Sequence, residues 1–202
     1  MRKGKLFVLS GPSGVGKGSI CRELFKKIDD VELSISMTTR DAREGEMHGV
    51  HYYFVSKEEF EANIEAGGFL EYAQTFENYY GTPKAPVIEH LENGRDVLLE
   101  IDVKGGMQVK KAYPEAVLIF VLPPTLETLR ERLHKRGSES EEKVNQRLSI
   151  AMEEMGYLPE YEYFVINDDL MEAVCVVEEI IDAEHHAVGK DVEEILERYK
   201  ED

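Results

Sequence analysis

Four glycines surround a single lysine in the stretch VLSGPSGVGKGSI, residues 8–20, directly behind an apolar run. Gly11, Gly16 and Lys17 satisfy the GxxxxGK spacing of a phosphate-binding loop. Glycines let successive backbone N–H groups point into one concavity, and the start of the following helix adds partial positive charge, so an anion is the natural occupant. The expected nucleotide-facing residues are Gly11, Pro12, Ser13, Gly14, Val15, Gly16, Lys17, Gly18 and Ser19, with Lys17 reaching the terminal phosphates and offsetting charge that develops during transfer. Gly18 stands where such loops place a Ser or Thr to contact magnesium, and Ser19 lies about 100° further round the helix. The metal is therefore expected to be held by waters, phosphate oxygens and nearby carboxylates. LLEID supplies two. On a strand, Glu100 and Asp102 point to one face at the carboxyl end, the edge where ligands of open parallel sheets bind.

A second charged set lies in SISMTTRDAREGEMHGVHYYFV, residues 34–55. Arg40 and Arg43 stand three apart, and paired guanidinium forks suit a phosphate better than ammonium groups do; Tyr52 and Tyr80 could add neutral donors. The competing reading is that both arginines form surface ion pairs. None of the six histidines sits in a protein-kinase catalytic-loop pattern, and adjacent His185 and His186 would diverge by about 100° on a helix rather than share a metal.

These groups need a scaffold, and strand-like runs alternating with helical patterns supply one. KLFVLSG precedes the loop, and residues 17–28 follow it as a helix with Ile20, Leu24 and Phe25 on one face. DVLLEID (96–102), AVLIFVLPP (116–124) and YFVIND (163–168) each lead into a helical pattern, the last carrying Leu170, Val174, Val177 and Ile181. The alternation predicts an α/β fold, a three-layer P-loop core whose parallel sheet is covered by helices on both faces. Residues 34–82, rich in Ser, Thr, Tyr and Gly with strand signals at YYFV and FLEYAQTF, are expected as a small mixed α/β lobe inserted into that core. Residues 137–158, around the polar SESEEKVNQRL, are expected as a helical lid. A single domain results, with core segments 1–33, 83–136 and 159–202. The acidic end, residues 191–202, reads as an amphipathic helix on Val192, Ile195, Leu196 and Tyr199, packing within the chain or against a second copy in a homodimer.

Composition narrows the partners. A chain of 202 residues, 42% hydrophobic and 32% charged, is long enough to fold around one well-filled core. The formal charge of -17 repels nucleic-acid backbones and anionic membranes, so neither is expected as a partner. Screening over about 8 Å still lets clustered arginines dominate a pocket. No apolar run approaches the ~20 residues of a membrane span, and the amino terminus enters the glycine-rich motif without a signal-type region, which points to a cytoplasmic location. Cys21 and Cys175 are too far apart in sequence to suggest a disulfide framework or a closely spaced metal site.

GPSGVGKG, SxSxTTRxxRxGE (34–46), NYYGT (78–82), EID (100–102), RLxxRG (132–137), NQRL (145–148) and VINDDL (165–170) together resemble the guanylate kinases, in order and over nearly the whole chain. The resemblance implies ATP as phosphoryl donor, GMP as acceptor, ADP and GDP as products, and Mg2+ accompanying ATP. It implies that Glu71 accepts from the two adjacent donors of guanine, N1–H and the 2-amino group, that Ser36 and Thr82 contact the base, and that Arg40, Arg43, Tyr52 and Tyr80 grip the GMP phosphate. Asp102 matches a position near both acceptor and magnesium shell, with Glu100 beside it. Arg132, Arg136 and Arg147 match arginines that converge on the ATP phosphates as the lid closes, and Asn167 a position near adenine. Two departures stand out: Gly18 at the magnesium-hydroxyl position, and Lys104 where glutamine is commoner. Two other readings stay open. Guanylate-kinase-like domains also serve as non-catalytic protein-binding modules, which the intact loop and arginines argue against; another nucleoside monophosphate could be the acceptor, which Glu71 with Ser36 and Thr82 argues against.

Overall fold

The computed structural model describes residues 3–136 and 140–188, together with 192, 196–197 and 199–200; Arg136 is described through its backbone alone. In chain order the elements are β1 (Leu6–Ser10), α1 (Lys17–Leu24), β2 (Val31–Leu33), β3 (Met37–Thr38), β4 (Tyr53–Phe54), α2 (Lys57–Glu65), β5 (Phe69–Thr75), β6 (Asn78–Pro83), α3 (Lys84–Glu92), β7 (Asp96–Glu100), α4 (Val103–Ala112), β8 (Val117–Leu122), α5 (Leu126–Arg136), α6 (Glu141–Met155), β9 (Tyr163–Ile166) and α7 (Leu170–Glu184).

Unbroken apolar strands such as LFVLS and VLIFVL can be stable only if both faces are covered. The sheet they form is parallel, in the order β2-β7-β1-β8-β9. Strand alternation divides its side chains between two cores. Phe7, Leu9, Leu98, Ile119 and Val121 point to the side covered by α1 and α7, with Ile20, Leu24, Val174 and Val177 packed on them. Leu6, Val8, Val97, Leu99 and Leu118 point to the other side, against Val87 and Leu91 of α3 and Val109 of α4. The result is the three-layer α/β core that the alternation predicts. Each fully buried side chain of this size stabilises by about 1.5–3 kcal/mol, so the two cores fix the carboxyl edge of the sheet firmly.

A second, mixed sheet has the order β4-β3-β6-β5, with β3–β4 parallel and the other pairs antiparallel. Phe60 of α2 is fully buried between the rings of Phe69 (4.4 Å between centroids) and Tyr79 (5.2 Å), closing one face of this sheet. Two hydrogen bonds tie it to the core: the Gln108 side chain on α4 accepts from Tyr72 N and donates to Tyr72 O, both at 3.2 Å.

Several elements differ from the sequence reading. The helix expected over residues 17–28 ends at Leu24, with Phe25 as its cap. β2, α2 and α3 carry no strong period and were not expected as separate elements: β2 is three residues long, and α2 buries Phe60 as its single fully enclosed side chain. The strand expected to carry both Glu100 and Asp102 stops at Glu100; Asp102 is the N-cap of α4, accepting from Gly105 N at 2.7 Å. Most of the expected C-terminal helix over 191–202 and the start of the expected lid at 137–139 lie outside the described residues.

Candidate active site

β1 delivers Ser10 to the carboxyl edge of the sheet, and the chain then turns through residues 11–16 into α1. Gly16 closes the turn in the left-handed region, φ 100°, where a side chain would be strained and would also collide with the Asn167 amide. That amide donates to Val15 O at 2.7 Å, while Arg132 donates to Val15 O (3.3 Å) and Asn167 O (2.8 Å). Val15 itself is fully buried, so the loop is anchored from behind by packing and from the side by α5 and the end of β9. Lys17 folds over the cradle, donating to Gly11 O (2.5 Å) and Pro12 O (3.3 Å). Burial pulls its pKa below the ordinary lysine value, opposed by the charges of Glu100, Glu154 and Asp102.

Those three carboxylates line, with Lys17, Ser13 and the loop glycines, a cavity of about 370 Å³. Gly18 lies against one of them: a Cβ at this position would come within 3.1 and 3.4 Å of the two Glu100 carboxylate oxygens. A hydroxyl-bearing residue here would press on the Glu100 carboxylate, which would have to give by a few tenths of an ångström. Ser19 turns away from that place, its Oγ accepting from Arg22 at 3.2 Å.

On the lobe side Glu71 is 8% exposed, a buried carboxylate facing its strand partner Thr82, whose Oγ1 donates to Oε1 at 2.6 Å. Burial raises its pKa above the ordinary value; Thr82 opposes the rise and the charge of Asp102 adds to it. Gly105, on the first turn of α4, leaves room for this carboxylate, since a Cβ there would sit 3.3 Å from Oε2. Between lobe and core lies a cavity of about 150 Å³ whose walls include Ser36, Tyr52, Thr82 and Glu100. Glu100 therefore lines both cavities, and the two meet at the end of β7.

Arg40 faces the same region. Its guanidinium lies 5.5 Å from the centre of the Tyr52 ring, which packs edge-on to Tyr80 at 6.2 Å. It also makes a two-pronged pair with Glu46 (2.9 and 3.0 Å), and Arg43 N donates to the same carboxylate at 2.8 Å. These bonds pull the Glu46 carboxyl down to about 2. The ion-pair reading thus holds for Arg40 in this conformation, and the Arg43 side chain is exposed.

The fold brings together Lys17, Glu100, Asp102, Glu71, Thr82, Ser36, Tyr52, Tyr80 and Arg40. Asn167, expected near a base, spends its amide on the loop, and Arg132 holds the carbonyls of Val15 and Asn167 and is not among the residues lining the cavity. Arg147 is half-buried on α6, and the Arg136 side chain lies outside the described residues. Sequence reasoning missed Glu46, Glu154 and Tyr161. A signal for Glu154 was present: it follows Arg147 by seven residues, two helical turns, and so shares its face. Tyr161 donates to Ser10 Oγ at 3.0 Å, at the base of the loop.

A phosphate-binding loop at the carboxyl edge of a parallel sheet, next to a second cavity between core and lobe, is the layout of a nucleoside monophosphate kinase. The sequence profile of the guanylate kinase family matches residues 3–184. The guanylate kinase of Clostridioides difficile (strain 630) is 50% identical over 202 residues, covering 100% of this chain and 98% of that one. That of Carboxydothermus hydrogenoformans is 52% identical over 184 residues, 91% and 90% of the two chains. The crystal structure of guanylate kinase from Anaplasma phagocytophilum superposes with a TM-score of 0.76 at 31% identity, over 97% of this chain and 95% of that one. The chain belongs to the guanylate kinase family.

Proposed function

We infer that this chain transfers the γ-phosphoryl group of ATP to GMP, giving ADP and GDP. The observation that carries the reading is the junction at Glu100, which lines both the phosphate cradle and the lobe-side cavity of Ser36, Tyr52 and Thr82, where Thr82 hydrogen-bonds to Glu71. Two nucleotides bound in these cavities would meet phosphate to phosphate. Glu71 would accept from the guanine N1–H and 2-amino groups with Thr82 and Ser36 alongside, a pairing adenine cannot make. Arg40, steadied by Glu46 and stacked near Tyr52, would hold the acceptor phosphate with Tyr80 and Arg43.

The acceptor oxygen is anionic at neutral pH, so the chain needs no general base and catalyses by positioning and charge neutralisation. Lys17 exchanges the carbonyls of Gly11 and Pro12 for the terminal phosphates. Arg132 and Arg136 of α5 and Arg147 of the lid are read as converging on the ATP phosphates when residues 137–158 close to exclude water, Arg132 leaving its present carbonyl partners to do so, and Asn167 is read as a neighbour of adenine. Among the described residues no three His, Cys, Asp or Glu side chains converge as a metal site, but hard carboxylate oxygens beside the cradle suit a hydrated Mg2+ that arrives with ATP. Glu100 and Asp102 would hold it through water, and when bound it supplies charge neutralisation at the β and γ phosphates. No helix among the described residues is long and apolar enough to cross a membrane. The chain is read as cytoplasmic, and its -17 charge weighs against nucleic acid or an anionic membrane surface as partner.

The test is ADP formation from Mg-ATP with GMP, AMP, UMP and CMP in parallel. Turnover with GMP far above the other three is expected; equal rates would overturn the base assignment, and no ADP with any acceptor would overturn the reaction.

A further inference from the structure

Of the three carboxylates that line the cradle, Glu154 is the one that comes from outside the β7–α4 connection. It sits on the last turn of α6, half-buried, and its side chain lines the same cavity as Lys17, Glu100 and Asp102. With all four groups ionised, this cavity holds three negative charges against one positive charge, although its backbone geometry is built for an anion. A carboxylate in that wall repels a bare triphosphate at close range, where effective dielectric values near ~20 leave such interactions strong. It repels a cation-neutralised triphosphate much less. Glu100 and Asp102 are fixed by β7 and the start of α4, whereas Glu154 rides on α6, inside the segment 137–158 expected as the lid, and shares a face with Arg147.

Resting on the kinase reading above, we propose that Glu154 is a specificity determinant for the charge state of the donor, making the cradle discriminate against ATP without its divalent cation. Neighbouring charges agree with the placement: burial raises the Glu154 carboxyl above its ordinary range, Lys17 and Lys104 oppose the rise, and Asp102 adds to it. Substrate selection by repulsion is the economical device here, because every attractive contact of the loop is available to both forms of ATP.

The experiment compares ATP binding by calorimetry in excess EDTA and in excess Mg2+, without GMP, so that no transfer occurs. The wild-type chain should bind Mg-ATP more tightly than metal-free ATP. Glu154→Gln, which keeps the shape and removes the charge, should narrow that ratio by on the order of tenfold through tighter binding of the metal-free form. Its GMP affinity should stay unchanged. Glu154→Asp should keep the preference, and Glu153→Gln, on the exposed neighbour, should leave the ratio as it is. A wild-type chain without the preference, an unchanged ratio in Glu154→Gln, or an equal loss of affinity for both forms would overturn the proposal. Failure of the kinase reading shows differently, as no ADP formation from the wild-type chain in the acceptor panel, whatever the binding ratio.

Discussion

Glu71 is a carboxylate kept where ionisation is unfavourable, and that sets a pH dependence. Burial lifts its folded pKa above the ordinary value, so the charged form is the penalised one. Glu71 therefore lowers stability above that raised pKa, and the penalty fades as the pH falls through it. Binding has the opposite sign, since only the ionised carboxylate can accept from both guanine donors. GMP affinity measured by calorimetry between pH 8 and pH 5 should fall on acidification earlier than an ordinary glutamate would dictate. The acceptor phosphate has its own titration near ~6, so the diagnostic quantity is the difference from Glu71→Gln. That variant presents a donor where guanine needs an acceptor; it should lose on the order of a hundredfold or more in GMP affinity and keep only the phosphate's own pH slope. Lys17 separates cleanly from this behaviour. Lys17→Ala should cut steady-state turnover by more than about a hundredfold with little change in GMP binding, because it removes a contact strengthened in the transition state. Normal turnover would remove Lys17 from the chemistry.

The elements succeed by close approach, and one position exposes how. α4 crosses β1 with Gly106 facing Ser10 and Tyr161; a Cβ there would lie 2.8 Å from Ser10 Oγ and 2.9 Å from the Tyr161 hydroxyl. The Tyr161–Ser10 bond joins the segment after α6 to the residue before the loop, and burial pushes the Tyr161 hydroxyl up to about 12, so it remains a donor at any working pH. Gly106→Ala should force these groups apart and destabilise the chain by about 1–3 kcal/mol in urea titration, although alanine is the better helix former. An unchanged midpoint would show that α4 can slide. Contacts of this kind explain which parts of the molecule were legible in sequence. β1, β7, β8 and β9 announce themselves because continuous Val, Leu, Ile and Phe needs a covered strand, and the GxxxxGK loop because its spacing carries a mechanism. β2 and α2 do not, since their residues are chosen by one or two neighbours, as Phe60 is by Phe69 and Tyr79. Of the site, Lys17, Glu100 and Asp102 could be read from the motif and the sheet edge. Glu71 and Thr82 gained their meaning only through family resemblance, because nothing in FLEYAQ signals that a strand glutamate will be buried. Asp102 was placed on the right cavity by the wrong geometry: it caps a helix instead of extending a strand.

At the scale of the whole molecule the two hydrophobic clusters share the three central strands β1, β7 and β8, so neither face of the core can open without disturbing the other. Cys21 reports on this coupling. It is 3% exposed beneath α1, and burial pushes its thiol up to about 12, which leaves almost no thiolate at neutral pH. Cys175, on α7, is exposed. A thiol reagent at pH 8 should therefore modify Cys175 rapidly and Cys21 only through global unfolding. In a Cys175→Ser background the labelling rate of Cys21 should rise with urea in step with loss of circular dichroism, and ATP or GMP should slow it, since each ligand that binds only the folded chain shifts that equilibrium by RT ln(1 + [L]/Kd). At a ligand concentration of 100 Kd the slowing should be about a hundredfold. Labelling that stays fast in the presence of both nucleotides would mean that α1 opens locally, and the core beneath the phosphate loop would then be less cooperative than its shared strands require.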